Sequence, residues 1–337
     1  MGIKITLSTI ADDLGVSTAT VSLALRDSPL VAEATREKVR QRAKEIGYVY
    51  DRRAASLRTQ RSDIVGVIVR DIINPFFAEI LRSIEAELGT NRQTFLLCNH
   101  GDDIALQEDF ISTLMQFGAD GVIMSPSVGT SHEDISKIEQ NGLPVTLVAR
   151  TVEGASVPAF LGNDEAGFFM VTQYLIEQGH RDIALVGGTR LTSTGRARRA
   201  GFAKAYQEAG LTVPQRDDIE TPYDRTAGFE AVERIMAQGP APTAIACCSD
   251  TVALGVMHGL RNRGLEPGVD ISVTGYDDIG EASISAPHLT SVADGHDEMG
   301  HLAACALFAK ISGKNTDNGA VYIEPQLKIR NSVHKVV

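Results

Sequence analysis

Thr6-Leu-Ser-Thr-Ile-Ala-Asp-Asp-Leu-Gly15-Val-Ser17-Thr-Ala-Thr-Val-Ser-Leu-Ala-Leu25 contains two apolar helical periods separated by a glycine turn. Thr6 can cap a first helix whose apolar positions are Leu7, Ile10, Ala11 and Leu14, and Gly15 supplies a left-handed exit. Ser17 caps a second helix running through Val21 to Leu25. The small Ala11 lets the helices cross closely, while Val16 and Val21 fill the angle between them. The second helix offers its first turn outward, so Thr18, Ala19, Ser22 and Leu23 can reach base edges in a DNA major groove. Asp27-Ser-Pro29 ends it, and a third helix over Ala32 to Ile46 carries Val39, Ala43 and Ile46 on one face. Residues 1–49 thus read as an all-α helix-turn-helix headpiece.

Charge agrees with that reading. Residues 1–61 hold eleven Lys/Arg against seven Asp/Glu, whereas the remainder holds 21 against 36, within a total of −11. A basic segment on an acidic body is expected where only one end meets phosphate. The stretch over 50–61, with Arg52, Arg53, Arg58 and Arg61, has helix propensity but little apolar surface.

From Ser62 the texture changes. Ile64-Val-Gly-Val-Ile-Val69 is a β-branched run of the kind found in buried parallel strands. Helix then follows at Phe77–Leu88, strand at Thr94–Cys98, helix at Leu106–Phe117 and strands at Gly121–Met124 and Leu143–Ala149. The alternation restarts after Leu161, with strands at Ile183–Val186, Ala244–Cys248 and Ile271–Tyr276. Its helices fall near Gly167–Gln178, Arg199–Ala209, Ala227–Ala237 and Val252–Arg263. The core is therefore α/β, with two doubly wound parallel-sheet lobes and a cleft at the carboxyl ends of their strands. The chain crosses between lobes near Leu161–Asp164, Val292–Gly295 and Val321–Pro325. Residues 62–161 with 293–320 form the first lobe, and 162–292 with 321–337 the second.

Thr6-Leu-Ser-Thr-Ile-Ala, Gly15-Val-Ser-Thr-Ala-Thr-Val-Ser, Thr35-Arg-Glu-Lys-Val and Ile46-Gly-Tyr48 together resemble the headpiece of the LacI/GalR family of bacterial repressors. Ala54-Ala-Ser-Leu57 looks like that family's hinge helix, and the twin lobes look like its periplasmic-binding-protein-like core. The resemblance implies a cytoplasmic, homodimeric transcriptional regulator whose affinity for operator DNA is switched by a small effector. It places Thr6, Ser17, Thr18, Ala19, Thr20, Ser22, Leu23, Tyr48, Arg52 and Ala54 toward DNA, with Tyr48 and Arg52 as phosphate partners. Leu57 falls where each subunit wedges a leucine into the minor groove, unstacking a base step. Leu23 replaces a residue that is usually polar or basic, and Tyr50-Asp51 replaces Pro-Asn, which leaves the operator sequence open.

In the core, Asn74-Pro75-Phe76-Phe77 follows the first strand, and Gly187 to Arg199 forms a polar, basic loop opening a helix. Both stand where an open sheet places ligand contacts. The resemblance assigns Phe76, Phe77, Thr192, Thr194, Arg198, Tyr223 and Asp277 to the effector. Arg150, Asp250 and Asp294 join them by position, although a strand-end aspartate such as Asp250 also reads as a helix cap. Arg199 reads as solvated and His180 as structural. Arginine, carboxylate, hydroxyl and aromatic groups in this mixture suit a sugar, polyol or sugar acid.

Two other classes fit the composition: a soluble sugar-binding protein, and an α/β enzyme acting on a sugar-like ligand. No leader-like apolar stretch opens the chain, and the basic headpiece speaks against the first. No G-x-G-x-x-G follows a strand, and the phosphate loop, nucleophile elbow and H-E-x-x-H motifs are missing. No cofactor and no metal are expected. Cys98, Cys247, Cys248 and Cys305 fit no zinc spacing and read as buried thiols. The residues after Arg330 include no heptad, so a dimer is expected and not a tetramer built on such a tail.

Overall fold

The computed structural model describes residues 5–49, 61–91, 93–214 and 218–336. They form two compact units, Met1–Ser62 and Asp63–Val337. The smaller unit holds α1 (Leu7–Leu14), α2 (Thr18–Leu25) and α3 (Glu33–Glu45). Thr6 and Thr9 close a capping box at the start of α1, and Gly15 ends it at φ 61°. Ser17 Oγ accepts the Thr20 backbone N–H at 3.0 Å, fixing the start of α2. Ile10, Val21, Ala24 and Val39 are fully buried at the helix crossing, with Ala11 and Ala43 beside them.

The larger unit is built on two parallel sheets. The first contains β1 (Ile64–Val69), β2 (Thr94–Asn99), β3 (Gly121–Met124), β4 (Val145–Val148), β5 (Ala159–Gly162) and β11 (Ala320–Ile323), in the order β11-β5-β4-β3-β1-β2. Its helices are α4 (Pro75–Thr90), α5 (Ile104–Gln116), α6 (His132–Gln140) and α11 (His296–Ile311). The second sheet contains β6 (Ile183–Val186), β7 (Asp218–Ile219), β8 (Ala244–Cys247) and β9 (Ser272–Thr274), ordered β7-β6-β8-β9. Around it lie α7 (Asp164–Glu177), α8 (Ser193–Glu208), α9 (Arg225–Met236) and α10 (Asp250–Asn262). A short antiparallel pair, β10 (Ser291–Ala293) with β12 (Gln326–Lys328), completes the unit.

Each sheet reverses its winding once, between β1 and β3 and between β6 and β8. Those switch points open crevices beyond the strands' carboxyl ends. β1 is buried from Val65 to Val69 and β8 throughout, as strands covered on both faces must be.

Two features differ from the sequence reading. Residues 320–323 pair with β5 in the first sheet, so the third crossing follows Ile323 and the boundary at 320/321 moves C-terminally. α11 has no counterpart in the sequence reading, because its apolar residues are not gathered into one stripe. It packs on α4, where Gly300 lets the helices approach: a Cβ there would sit 2.7 Å from the Ile80 carbonyl oxygen.

Candidate functional site

In the headpiece, Ser17, Thr18 and Ala19 are exposed on the first turn of α2, while Thr20 and Ser22 are half-buried beside them. Thr6, Ser17 and Thr20 hydroxyls serve the caps, with Ser17 Oγ 2.9 Å from Thr20 Oγ1. Leu23 and Tyr48 pack partly against the headpiece core, so only part of each faces outward. The arginines of α3 are held by acids: Arg42 pairs with Asp13 at 2.7 Å and Arg40 with Asp27. Arg52, Ala54 and Leu57 lie outside the described residues.

In the larger unit, a narrow cavity opens between the lobes. Phe76, Phe77, Arg150, Thr194, Arg198, Tyr223, Asp277 and Asp294, all assigned to the effector in the sequence reading, line it. Asn74 caps α4 by accepting the Phe76 N–H at 3.1 Å, and Pro75 presets the first turn. That cap aims Phe76 and Phe77 at the cavity, their rings 5.0 Å apart and nearly perpendicular.

Arg198, from α8, is the centre of the second lobe's wall. Its Nε donates to Asp164 at 2.8 Å, one Nη to the Cys248 carbonyl, and the other lies 3.6 Å from Asp277. The guanidinium stacks 3.9 Å over the Tyr276 ring. Burial opposes its charge, yet the fields of Asp164, Tyr223 and Asp277 outweigh that and hold it a permanent cation. Burial pushes the Asp277 carboxyl up, with Arg198 pulling the other way, and Asp164 responds alike. Asp277 also sits at φ 100°, a conformation costly for a residue with a side chain. Neighbouring chain fixes it there: Asp277 N–H donates to Val292 O at 2.9 Å.

The first lobe answers with a second arginine pair. Asp102 accepts from Arg70 at 2.8 Å and from Arg150 at 2.5 and 3.3 Å. Burial would raise the Asp102 pKa, but the two guanidiniums lower it below the usual carboxylate range. Arg70 also lies 3.7 Å from Asp71, so the two guanidiniums face two carboxylates at that wall. Asp294, at the crossover, accepts from His296 at 3.2 Å, whose other ring nitrogen meets Glu79 at 2.8 Å. Burial works against charging His296, but the hydrogen bonds from Asp294 and Glu79 raise it to about 9.

Four sequence expectations need correction. Thr192 does not line this cavity; it caps α8, accepting the Gly195 N–H at 3.1 Å and donating to Thr189 O at 3.0 Å. Asp250 is buried behind it, accepting from Ile279 N–H at 2.8 Å and Ser291 Oγ at 2.6 Å, while Ser249 does the helix capping. Arg199 is not solvated: it is buried and bound to Asp218 at 2.7 Å and Gly187 O at 3.1 Å. Cys305 is only half-buried, unlike the other three cysteines. His180 is structural as expected, its ring held by Thr243 and His334 O at 3.0 Å each. The sequence reading missed Arg70, Asp102, Asp164 and His296 as site residues.

Among the described residues no helix is long and apolar enough to cross a membrane. Residues 6–51 match the family described as bacterial regulatory proteins, lacI family, and residues 62–333 match periplasmic binding proteins and sugar binding domain of LacI family. The chain is 32% identical over 331 residues to the HTH-type transcriptional repressor PurR of Vibrio campbellii, covering 98% of this chain and 99% of the relative. It is likewise 32% identical to that repressor from Pectobacterium atrosepticum, covering 97% and 96%. Among solved structures, the lac repressor dimer bound to operator and the anti-inducer ONPF matches with TM-score 0.85 at 24% identity, over 98% and 99% of the two chains. A transcriptional regulator CelR–cellobiose complex matches with TM-score 0.74 at 28% identity, over 98% and 100%. A ribose-bound regulator from Enterococcus faecium matches with TM-score 0.73 at 25% identity, over 81% and 100%.

Proposed function

This chain belongs to the LacI family of bacterial regulatory proteins and is a DNA-binding transcriptional repressor with an effector-binding domain, and from that premise we propose that its effector is a sugar, polyol or sugar acid bound between the lobes. The observation that carries this reading is the convergence of Arg150, Arg198, Asp277 and Asp294 on one aromatic-lined cavity. Carboxylates accept from hydroxyl groups, guanidiniums donate in planar pairs, and Phe76, Phe77 and Tyr223 cover the apolar C–H face. Two similar proteins hold cellobiose and ribose, which supports the same class here.

In this reading the chain works as a homodimer on a near-palindromic operator, since two-fold protein symmetry reads two-fold DNA symmetry. Thr18, Ala19 and Ser22 meet bases, and Leu57 is the minor-groove wedge. Effector changes the angle between lobes and so the presentation of the hinge, with a coupling of roughly 1–3 kcal/mol.

A thermal-shift screen of sugars, polyols, sugar acids and nucleobases on the full chain tests the effector class. Stabilisation by one or a few sugar-like compounds is expected; stabilisation by nucleobases alone would overturn it. Leu57→Ala should weaken operator binding while leaving effector affinity intact. Loss of both would contradict the hinge assignment.

A further inference from the structure

A second constellation sits on α4 and α11, away from the cleft. His301 and Cys305 stand four residues apart on α11 and therefore on one face. Glu87 of α4 meets them: its carboxylate oxygen lies 3.3 Å from His301 Nδ1. Cys305 Sγ lies 4.0 Å from that nitrogen and 3.7 Å from Nε2. One donor atom from each residue lies within 4.8 Å of the other two.

These separations are close to what a tetrahedral ion demands. Bonds of about 2.3 Å to sulfur and about 2.0–2.2 Å to nitrogen and oxygen place neighbouring donors roughly 3.4–3.6 Å apart. To seat all three, Cys305 Sγ would close by a few tenths of an ångström on His301 Nδ1 and by up to roughly 1.2 Å on the Glu87 carboxylate. The site is also reachable, because the His301 side chain is 54% exposed and Cys305 is half-buried.

We propose that Glu87, His301 and Cys305 bind a divalent cation of the zinc class, with water in the fourth position. Thiolate with imidazole favours such a borderline ion over magnesium or calcium. The Cys305 thiol, pushed up by burial and by Glu87, releases its proton to solvent as the ion binds. The ion would clamp α4 to α11, whose N-terminal turns supply Phe76, Phe77 and Met299 to the cleft wall.

The test is a cobalt(II) titration of the full reduced chain, followed by absorbance. One equivalent should give a thiolate-to-cobalt charge-transfer band in the near ultraviolet with four-coordinate visible bands, and zinc(II) should abolish both. Cys305→Ser should lose the charge-transfer band, and His301→Ala and Glu87→Gln should each weaken binding by about tenfold or more, with circular dichroism unchanged. If Cys305→Ser fails to fold, Cys305→Ala carries the same prediction. Absence of a charge-transfer band at saturating cobalt would overturn the proposal, as would a band persisting in the Cys305 variants. Visible bands without the thiolate transition would place the ion at Glu79, His296 and Asp297 instead, and overturn it too.

Discussion

Arg198 and Arg199 are consecutive on one helix and point about 100° apart, so one faces the cleft and the other faces Asp218. Arg198 depends on Asp164 for its shortest carboxylate contact, at 2.8 Å. Asp164→Asn would leave it with the more distant Asp277 and one carbonyl. We expect a loss of about 2–3 kcal/mol in urea unfolding, toward the low end for a broken buried pair. A midpoint within error of the parent would show that Asp277 alone balances the charge. Asp277 was legible in the sequence because it sits in a strand-end loop, and Arg198 because it lies in the opening turns of the helix that such a loop leads into. Asp164 was not: as the first residue of α7 it reads as an ordinary helix-start acid, and only folding brings it against α8. Thr192 failed for the opposite reason, since a hydroxyl in the right loop is spent on the cap.

Elements in the second lobe meet through glycines. A Cβ on Gly201 of α8 would lie 2.2 Å from the Glu165 carbonyl oxygen and 2.7 Å from the Phe169 nitrogen of α7. Backbone cannot yield as a side-chain tip can, so Gly201→Ala must push α8 away from α7. We expect a cost of about 1–3 kcal/mol or more, together with weaker effector binding, because α8 also positions Arg198. Unchanged stability with unchanged binding would mean that the crossing relaxes freely. Gly255 against the Arg225 carbonyl, at 2.1 Å, makes the same contact between α9 and α10. The sequence marked these helices by their periodicity, and β6 to the residue, because Ile183–Val186 is a pure apolar run. It passed over β5, β7, β10, β11 and β12, each two to four residues long. Runs that short hold too few alternations to register, and β11 exposes Val321 and Tyr322 as an edge strand.

At the scale of the whole larger unit, two histidines set opposite pH limits. His296 is raised to about 9, so its contribution is complete below the ordinary histidine pKa and fades as pH rises through 9. Burial depresses His180 to about 4, so its unfolded form gains a proton first, and stability falls as pH drops below about 6.5. Each shift is worth roughly 3 kcal/mol. Melting temperature should therefore be highest near neutrality, with Glu79→Gln flattening the alkaline limb and His180→Gln the acid limb; parallel curves for parent and variants would refute these assignments. The same unit holds its lobes together across the cleft by few direct bonds. Thr151 N–H donates to Ser193 Oγ at 3.1 Å, and Thr251 Oγ1 donates to Asn74 Oδ1 at 3.4 Å. Ser193 lies outside the effector cavity, so its hydroxyl acts on the angle between lobes and not on the ligand. Removing one such bond costs about 1 kcal/mol of the closed form, and a ligand that requires closure inherits that cost in its apparent affinity. Ser193→Ala should accordingly weaken binding of the compound selected in the thermal-shift screen by about fivefold in calorimetry, with the stability of the free chain nearly unchanged. An affinity that stays the same or rises would mean that closure does not accompany binding, and the switch would have to be sought within one lobe.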